Sequence, residues 1–426
     1  MPSASHPGAT INRRAVDRLK AGHVWVYRSD LVGAVAAEPG ALVQVHDERG
    51  RALGTAFYSS ASQIALRLIA RRVVPLDELA ALVRSRLDAA LEYRKRLLQS
   101  SVVQTSVVQT NDAFRVVFSE ADELPGLILD RYNDIASFQV LTQAFDRPEL
   151  RQLVIGWAAE ALSPTAVIER VDARILELEQ LPAREPGVVW PADAASRGDS
   201  ASRGHTASAA HTSTVFTSNG LRFRYDALSG QKTGAFLDQR ENYAAAERYA
   251  RGEALDVFCY QGGFALHLAR ACDRVTAVDS SRPALEVAEQ NETLNADQRR
   301  GPEIEWIEAN AFDLLRDYAD ARRQYDVIVL DPPAFAKSQR NLETALRGYK
   351  ELNLRALKML RPGGILVSCS CSYHVKEADF LQVLAAASAD AHRTLRILER
   401  RGAALDHPAI AAIPETSYLK CIIAAV

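Results

Sequence analysis

The alternation of strand-like and helix-like segments after residue 215 most narrowly limits what this chain can fold into. Short apolar runs recur there, separated by stretches whose apolar residues have helical spacing. The runs are LDVF (255–258), RVTAVD (274–279), IEWIEAN (304–310), YDVIVLD (325–331) and GILVSCS (364–370). This alternation predicts an α/β fold, a Rossmann-like doubly wound sheet of mostly parallel strands with helices on both faces.

The residues before this sheet predict two further structural units. Residues 1–72 contain short strand-like runs separated by glycine-containing turns, which indicate a small β-barrel. Apolar residues at helical spacing from Leu76 to Leu98 predict a linker helix that ends in a cluster of cations beginning at Arg94. Strand-like runs with one helix follow, so we expect 73–190 to form the linker helix and a central α/β domain.

A change of composition marks the next boundary. Of the 24 residues at 191–214, 17 are Ala, Ser, Thr or Gly, which cannot anchor a hydrophobic core. We therefore expect a flexible low-complexity insert at 191–214 and the doubly wound domain at 215–426. The tandem SVVQT repeat at 101–110 is too short for a solenoid, so we interpret it as a local duplication without function.

Composition excludes several protein classes. The chain has 426 residues, of which 48% are hydrophobic and 24% charged, as expected for two or three globular domains. It lacks an apolar run near the roughly 20 residues of a membrane span, a signal-peptide pattern and a disulfide framework. We therefore expect a cytoplasmic protein with reduced thiols and no membrane partner. Residues 1–100 carry 15 Lys and Arg against 9 Asp and Glu, which suits either an anionic partner or a solvated surface.

The ends of the predicted parallel strands carry the residues expected to meet a ligand. A small-residue turn, Gly262 and Gly263, follows the first strand, but its spacing differs from the Gly-x-Gly-x-x-Gly of dinucleotide folds. Asp279 ends the second strand, where a carboxylate either accepts from a ribose diol or caps the next helix. Asn310 lies at the end of the third strand and Asp331 at the end of the fourth. The series disfavours nicotinamide and is compatible with an adenosine-containing ligand.

These strand ends resemble those of class I S-adenosylmethionine-dependent methyltransferases, and longer motifs make the resemblance specific. The motifs are FLDQR (236–240), DVFCYQGGF (256–264), DPPAFAK (331–337), RGYKELN (347–353) and SCS (370–372). Together they are similar to the RlmI-like family of 23S rRNA cytosine-C5 methyltransferases. HVWVYRSDL (23–31) resembles the family's N-terminal PUA-type RNA-binding domain, and SEADELPGLILDRY (119–132) resembles its central domain. The resemblance implies S-adenosylmethionine as cofactor and ribosomal RNA as partner, and it leaves a homodimer open.

The resemblance also implies which residues bind the methionine and ribose parts of the cofactor. Phe258, Tyr260 and Gly262 would surround the methionine part. Asp279 would bind the ribose, with Ser280 beside it.

The remaining implied cofactor contacts lie around the adenine and the methyl group. Asn310 and Ala311 would contact the adenine, and Asp331 would lie near the transferred methyl group. Asp238 and Arg240 would close over the cofactor. The family usually has Asp where this chain has Asn310, so we expect weaker binding, because an amide oxygen can still accept from the adenine amino group.

The implied reaction requires a cysteine. Carbon 5 of cytosine is a poor nucleophile, so a thiolate must first add to carbon 6 of the ring. Cys371 lies just beyond a predicted strand end, whereas Cys369 lies within the strand. We therefore expect Cys371 to be the nucleophile, Asp331 to bind the edge of the pyrimidine and Cys369 to be packed in the sheet.

Alternative chemistries remain open at this point. Metal binding by Cys369, Cys371 and His374 lacks a recognisable fourth ligand, so we expect no metal. An amino-group methyltransferase would use Asp-Pro-Pro followed directly by an aromatic residue, but Ala334 separates the second proline from Phe335, which favours carbon methylation. Methylation of uracil carbon 5 and an inactive RNA-binding assembly factor are further alternatives.

Two cations in RGYKELN could contact the substrate. Arg347 and Lys350 would reach RNA phosphates in one interpretation and form a solvated helix face in the other.

Overall fold

A computed structural model of the protein describes residues 7–99, 111–191, 212–228, 235–336 and 339–426. The tandem repeat at 101–110 lies outside these residues. So does the expected insert at 191–214, apart from its first residue and its last three. Within the described part, no helix combines the length and the apolar character needed to cross a membrane.

The described residues form strands and helices in the following order. The strands are β1 Gly8–Ile11, β2 Trp25–Tyr27, β3 Leu42–Asp47, β4 Ala52–Tyr58, β5 Ile64–Ala70, β6 Ala113–Phe118, β7 Leu127–Tyr132, β8 Ile135–Val140, β9 Ala166–Glu169, β10 Gly187–Trp190, β11 Ser213–Ser218, β12 Leu221–Asp226, β13 Glu253–Val257, β14 Arg274–Asp279, β15 Glu305–Glu308, β16 Tyr325–Leu330, β17 Leu360–Ser370, β18 Arg396–Arg401 and β19 Lys420–Ala425. The α-helices are α1 Arg13–Lys20, α2 Leu79–Gln99, α3 Gln143–Asp146, α4 Pro148–Leu162, α5 Ala173–Glu179, α6 Arg240–Glu247, α7 Gly263–Ala269, α8 Arg282–Leu294, α9 Ala311–Asp320, α10 Leu342–Met359 and α11 Glu377–Asp390.

Contacts between residues divide the chain into two compact units. The first comprises Met1–Phe216, Tyr225–Ala235 and Leu405–Thr416, and the second comprises Thr217–Arg224, Phe236–Ala404 and Ser417–Val426. The first unit therefore includes a late segment that the sequence division assigned to 215–426. Asp406 connects this late segment to the first unit, because its Oδ2 accepts from the backbone N–H of Arg115 at 2.9 Å. The four-part division at 1–72, 73–190, 191–214 and 215–426 stays a prediction.

The N-terminal sheet of the first unit has the strand order β1-β3-β4-β5-β2. In β3, Val43 and Val45 are fully buried, whereas Gln44 and His46 are partly exposed. This period of two is expected for a strand with one face against a core. The predicted β-rich unit is confirmed, and Ile11 belongs to the same core.

The central sheet of the first unit has the order β10-β9-β8-β7-β6, and α2 and α4 pack against its strands. The linker helix predicted from Leu76 begins with a 3-10 turn, and the α-helix starts at Leu79. Arg94 is fully buried, forms an ion pair with Asp122 and donates from Nε to the carbonyl of Arg115 at 3.1 Å. Its role therefore goes beyond that of a cation at a helix terminus, because it ties α2 to the sheet.

The second unit contains a seven-stranded sheet with the order β15-β14-β13-β16-β17-β19-β18. Neighbours from β15 to β17 are parallel, and β19 is antiparallel to both of its neighbours. Leu255, Ile328 and Leu366 lie side by side across three strands and are all fully buried. Helix α7 packs against β13 and β14, and α10 packs against β16 and β17. The predicted α/β doubly wound sheet is confirmed.

Candidate active site

Two strand ends meet where the strand order of this sheet reverses. Val257 ends β13 and is in register with Leu330, which ends β16. The backbone N–H of Asp331 donates to the carbonyl of Val257 at 3.3 Å. Phe258 and Asp331 therefore leave the sheet side by side, at the edge where doubly wound sheets bind their ligands.

The loop after β13 has an unusual backbone. Phe258, Tyr260 and Gly262 have φ angles of 68°, 50° and 87°, in the left-handed region. This conformation costs free energy for residues with a side chain, and such costs are concentrated at functional sites. The N–H groups of Phe258 and Cys259 both donate to the carbonyl of Val278, at 2.8 and 3.0 Å. Hydrogen bonds to β14 thus hold the loop in its shape.

The two glycines of this loop leave no room for side chains. A Cβ atom at Gly262 would lie 2.9 Å from Cη2 of Trp306, and one at Gly263 would lie 2.5 Å from Cζ of Tyr243. Both distances are well below the roughly 3.5 to 4.0 Å of a carbon–carbon contact. The loop therefore presents bare backbone, which a ligand can approach closely.

Asp279 connects the end of β14 to this loop. Its Oδ2 accepts from the N–H of Tyr260 at 2.9 Å, and its Oδ1 accepts from the N–H of Ser281 at 2.9 Å. A carboxylate has about four lone-pair positions, so both oxygens can still accept from a ribose diol. The residue that caps the next helix, α8, is Ser281, whose side chain accepts from the N–H of Ala284. Ser280 is exposed between them.

Asn310 is the N-cap of α9. Its side-chain oxygen accepts from the N–H groups of Phe312 and Asp313, at 2.9 and 3.3 Å. Two acceptor positions of that oxygen are thus used within the chain. The adjoining Ala311 is buried at the start of the helix. A contact of Asn310 with the adenine stays a prediction.

The segment before α6 is buried. Asp238 accepts from the hydroxyl of Tyr418 at 2.5 Å, and the carbonyl of Arg240 accepts from Nδ2 of Asn219 at 2.8 Å. Sequence reasoning missed the residue between them, although it lies in the FLDQR motif. Gln239 donates from Nε2 to Oδ1 of Asp331 at 3.0 Å, which brings this motif to the end of β16.

A buried carboxyl group, also missed as a functional candidate, underlies the loop. Asp256 in β13 is fully buried. Burial raises the pKa of its carboxyl well above the ordinary value, and the negative charges of Asp331 and Asp279 raise it further. A cation bound at these strand ends would offset that repulsion. The site is thus electrostatically suited to the positively charged sulfonium of S-adenosylmethionine.

One cysteine differs from the other four in exposure. Cys259, Cys272, Cys369 and Cys421 are buried, and Cys371 is half-buried. The Sγ atom of Cys371 lies 3.7 Å from the carbonyl oxygen of Pro332, next to Asp331. Cys369 lies opposite Cys421 on β19, and burial raises the pKa of its thiol. The structure therefore brings Cys371 and the Asp331 loop together.

A phenol forms hydrogen bonds with the serine side chains on both sides of this cysteine. The hydroxyl of Tyr349 lies 2.9 Å from Oγ of Ser370 and 2.9 Å from Oγ of Ser372. Oγ of Ser372 also accepts from the N–H of Ala336 at 3.2 Å. Both serines are fully buried. Tyr349 lies in RGYKELN, but only the fold shows that this motif supports SCS.

The other residues singled out by the sequence have local partners. Arg347 lies 3.5 Å from Glu343, and Lys350 lies 2.7 Å from Asp390, in exposed ion pairs. Their contact with RNA phosphates stays a prediction. In the part of the chain that the structure describes, no group of three or more His, Cys, Asp or Glu side chains could hold a metal ion.

The basic residues near the start of the first unit are partly neutralised. Arg14 and Arg18 pair with buried Asp30, at 2.7 and 2.5 Å. Arg13 is 91% exposed and lies 3.9 Å from Asp17. Lys20, at the end of the same helix, is also exposed. These two cations of α1 are open to an anionic partner.

Comparisons with known proteins identify a PUA-like domain and a methyltransferase domain in the chain. Residues 9–71 match the model of a PUA-like domain, and residues 169–421 match that of an S-adenosylmethionine-dependent methyltransferase. The chain is 33% identical over 416 residues to the ribosomal RNA large subunit methyltransferase I of Pseudoalteromonas translucida, covering 95% of this chain and 96% of the relative. It is 36% identical over 411 residues to the protein of that name from Tolumonas auensis, covering 94% of each.

Solved structures share the fold along the whole chain. A methyltransferase structure complexed with SAH superimposes with a TM-score of 0.79 at 16% identity, covering 99% of this chain and 100% of the other. An S-adenosylmethionine-dependent methyltransferase structure from Streptococcus mutans gives 0.78 at 17% identity, with the same coverage. At these identities the likeness concerns the fold alone.

Proposed function

The chain belongs to the S-adenosylmethionine-dependent family of ribosomal RNA large subunit methyltransferase I, and from this premise we propose that it methylates carbon 5 of a cytosine in the RNA of the large ribosomal subunit. The relatives carry this RNA in their names, and they match the chain over nearly its full length. The choice of carbon 5 rests on the half-buried thiol of Cys371, which contacts the loop that begins at Asp331.

The thiol makes methylation of a ring carbon chemically accessible. The thiolate of Cys371 adds to carbon 6 of the cytosine, and the electron pair displaced from the carbon 5–carbon 6 bond makes carbon 5 nucleophilic. The cofactor, when bound, supplies an electrophilic methyl group. After carbon 5 has gained the methyl group, it loses its proton to a base. The bond between Sγ and carbon 6 then breaks, which restores the ring and the thiolate.

Exposure distinguishes Cys371 from the other thiols. A nucleophile must reach the substrate, and each of the other four cysteines is buried. Cys371 follows the last residue of β17, where the backbone leaves the sheet beside the Asp331 loop. We assign the nucleophile to Cys371 and a structural role to Cys369.

Asp331 is the group proposed to bind the edge of the pyrimidine. Its carboxylate can accept from the exocyclic amino group of cytosine, a donor that uracil lacks. Gln239 fixes one of its oxygens by a hydrogen bond of 3.0 Å. We assign Asp331 to the exocyclic amino group of cytosine, and the fluorinated substrates described below test cytosine against uracil.

The residues at the strand ends fit the cofactor. Asp279 keeps acceptor capacity for the ribose, the bare loop at Gly262 admits close approach, and the acidic surroundings of Asp256 suit a cation. We assign the ribose contact to Asp279 and the methionine contacts to the loop from Phe258 to Gly262. In this proposal these residues orient the cofactor.

A fluorinated substrate tests the proposal directly. Fluorine at carbon 5 blocks the final elimination, so RNA containing 5-fluorocytidine should trap the protein covalently through Cys371. Mass spectrometry of the digested adduct identifies the residue that is attached. Cys371→Ala should form no adduct and should transfer no methyl group. Cys369→Ala should still form the adduct and should still transfer the methyl group.

Each other outcome selects a different function. Adduct formation through Cys369, or full activity of Cys371→Ala, would contradict the assignment of the nucleophile. Methyl transfer to an exocyclic amine would indicate an amino-group methyltransferase, and trapping by fluorouridine alone would indicate uracil. Cofactor binding without any transfer would indicate an RNA-binding assembly factor.

A further inference from the structure

Lys420 is a buried cation whose hydrogen-bond partners are neutral. It is the first residue of β19 and is 5% exposed. Its Nζ donates to the carbonyl oxygens of Ser372 and Tyr418, each at 2.7 Å. Removing an ammonium group from water costs free energy that carbonyl groups offset only in part. An anionic partner would offset the remaining cost of burying this cation.

The position of Lys420 relative to SCS suggests that partner. Lys420 is in register with Ser370 on β17, the residue before Cys371. Its ammonium group holds the carbonyl of Ser372, the residue after Cys371. The same cation is therefore anchored beside both neighbours of the half-buried thiol. Both interactions lie within the second unit.

The charges around Lys420 also support an interaction with the thiolate of Cys371. Burial lowers the pKa of its ammonium group to about 8, while Cys371 and Glu377 oppose this shift in that order. Interaction energies are mutual, so a cation that a thiolate stabilises also stabilises the thiolate. Glu377 is about half exposed and lies 3.8 Å from Arg400, so solvent and a second cation screen its charge.

We propose that Lys420 is a positioning residue that keeps Cys371 in the thiolate form and holds the SCS segment in place for attack on the substrate. This inference rests on the proposed function of Cys371 as the nucleophile. The thiol transfers its proton to solvent, and the ammonium group of Lys420 stabilises the sulfur anion that remains. No proton passes to the substrate in this step.

Other titratable groups near this pair are Asp331, in the loop that contacts Cys371, together with Tyr349, Tyr418 and His374. Burial raises the pKa of Tyr349 to about 12, so its phenol stays neutral across neutral pH. The hydroxyl of Tyr418 donates to Asp238. His374 follows Cys371 by three residues, and its ring packs against that of Tyr373. All of these groups are retained when Lys420 is replaced, so they are the same in every variant.

Alkylation of the thiol by iodoacetamide measures its reactivity without RNA or cofactor. The full-length protein is treated between about pH 6 and 9, and mass spectrometry follows Cys371 separately from the four buried cysteines. Lys420→Gln keeps a donor for the carbonyl of Ser372 but removes the charge, and Lys420→Met removes both. Lys420→Arg keeps a positive charge at position 420 across the whole pH range. Glu377→Gln is the matched control for a nearby, exposed charge.

Loss of the cation should move the alkylation profile of Cys371 toward higher pH by about one unit, which makes alkylation about tenfold slower on the acidic side. Lys420→Gln and Lys420→Met should both show this shift, and Lys420→Arg and Glu377→Gln should stay near wild type. An unshifted profile in a folded Lys420→Gln protein would overturn the inference. A shift of equal size in Lys420→Arg would overturn it as well, because only packing would then matter.

This experiment separates the inference from the proposed function. If trapping on fluorinated RNA occurs through another cysteine, the proposed function fails whatever the alkylation profile shows. If trapping occurs through Cys371 but the profile does not depend on Lys420, only the present inference fails.

Discussion

Gln239 donates a hydrogen bond from its Nε2 to Oδ1 of Asp331, 3.0 Å away. The other end of the same amide accepts from Nδ2 of Asn242 at 2.6 Å. Because both ends are used, the orientation of the buried amide is fixed. The bond joins FLDQR to DPPAFAK, two motifs that are about ninety residues apart in the chain.

Replacing this glutamine should affect catalysis more than cofactor binding. Gln239→Leu keeps the approximate volume but removes the donor to Asp331, so the carboxylate loses its fixed orientation toward the base. We expect kcat to fall about tenfold or more, since the loss of a buried hydrogen bond costs about 1 to 3 kcal/mol. Single-turnover methyl transfer measures this. Exposed Gln324→Leu serves as the control, and an unchanged kcat for Gln239→Leu would refute the role.

Asp279 should dominate recognition of the ribose. Asp279→Ala removes an acceptor of the ribose diol and also releases the N–H of Tyr260. Affinity for S-adenosylmethionine should fall by about 1 to 3 kcal/mol in titration calorimetry. Asp273→Ala removes an exposed carboxylate paired with Arg300 and should have no such effect. Equal affinities of the Asp279 variant and the wild type would show that the ribose binds elsewhere.

The bare loop predicts intolerance of even a methyl group. Gly262→Ala would place a Cβ atom 2.9 Å from Trp306 in a residue with φ of 87°. We expect a loss of about 1 to 3 kcal/mol in the free energy of unfolding, together with weaker cofactor binding. Gly156→Ala, at a helical position where the new Cβ meets no atom within 4 Å, should be neutral or slightly stabilising. Thermal unfolding of both variants provides the comparison.

The buried carboxyl of Asp256 should make stability depend on pH. Burial raises its pKa in the folded state, so between the ordinary pKa of about 4 and the raised value the folded protein binds more protons than the unfolded chain. Stability from this group is therefore complete below about pH 4 and is lost as the pH rises. Asp256→Asn should flatten this slope and raise the melting temperature at neutral pH. An unchanged slope, as expected for the Asp273→Asn control, would contradict the burial effect.

The exposed cations of α1 should contribute to RNA binding. The double variant Arg13→Gln and Lys20→Gln removes two charges that lie outside the core of the first sheet. RNA affinity should fall, and the slope of log affinity against log salt should decrease by about one for each phosphate that the variant no longer neutralises. Cofactor affinity should not change. Arg300→Gln, an exposed cation of the second unit, is the control, and an equal effect of both would remove the specific role of α1.

Local sequence predicted the five parallel strands of the second unit in their order along the chain, but not the antiparallel strands β18 and β19. Apolar periodicity predicted β14 with its observed bounds, because strands buried in a sheet consist of short apolar runs. Because the alternation of strands and helices implies a parallel sheet, the strand ends must share one edge. Phe258 and Asp331 were therefore both predicted to lie at the ligand-binding edge. Motif resemblance added the cofactor, and the comparisons confirm it.

Tertiary structure alone decided how the site is supported. Gln239, Tyr349 and Lys420 reach the site from the segment before α6, from α10 and from β19, and no local pattern in a sequence records which side chains meet across such distances. The position of Cys371 beyond a predicted strand end already separates it from Cys369 in the sequence, whereas the degree of exposure of each thiol is a property of the packed fold. Chain periodicity specifies which face of an element is buried, whereas pairings between distant elements depend on the packing of the whole unit.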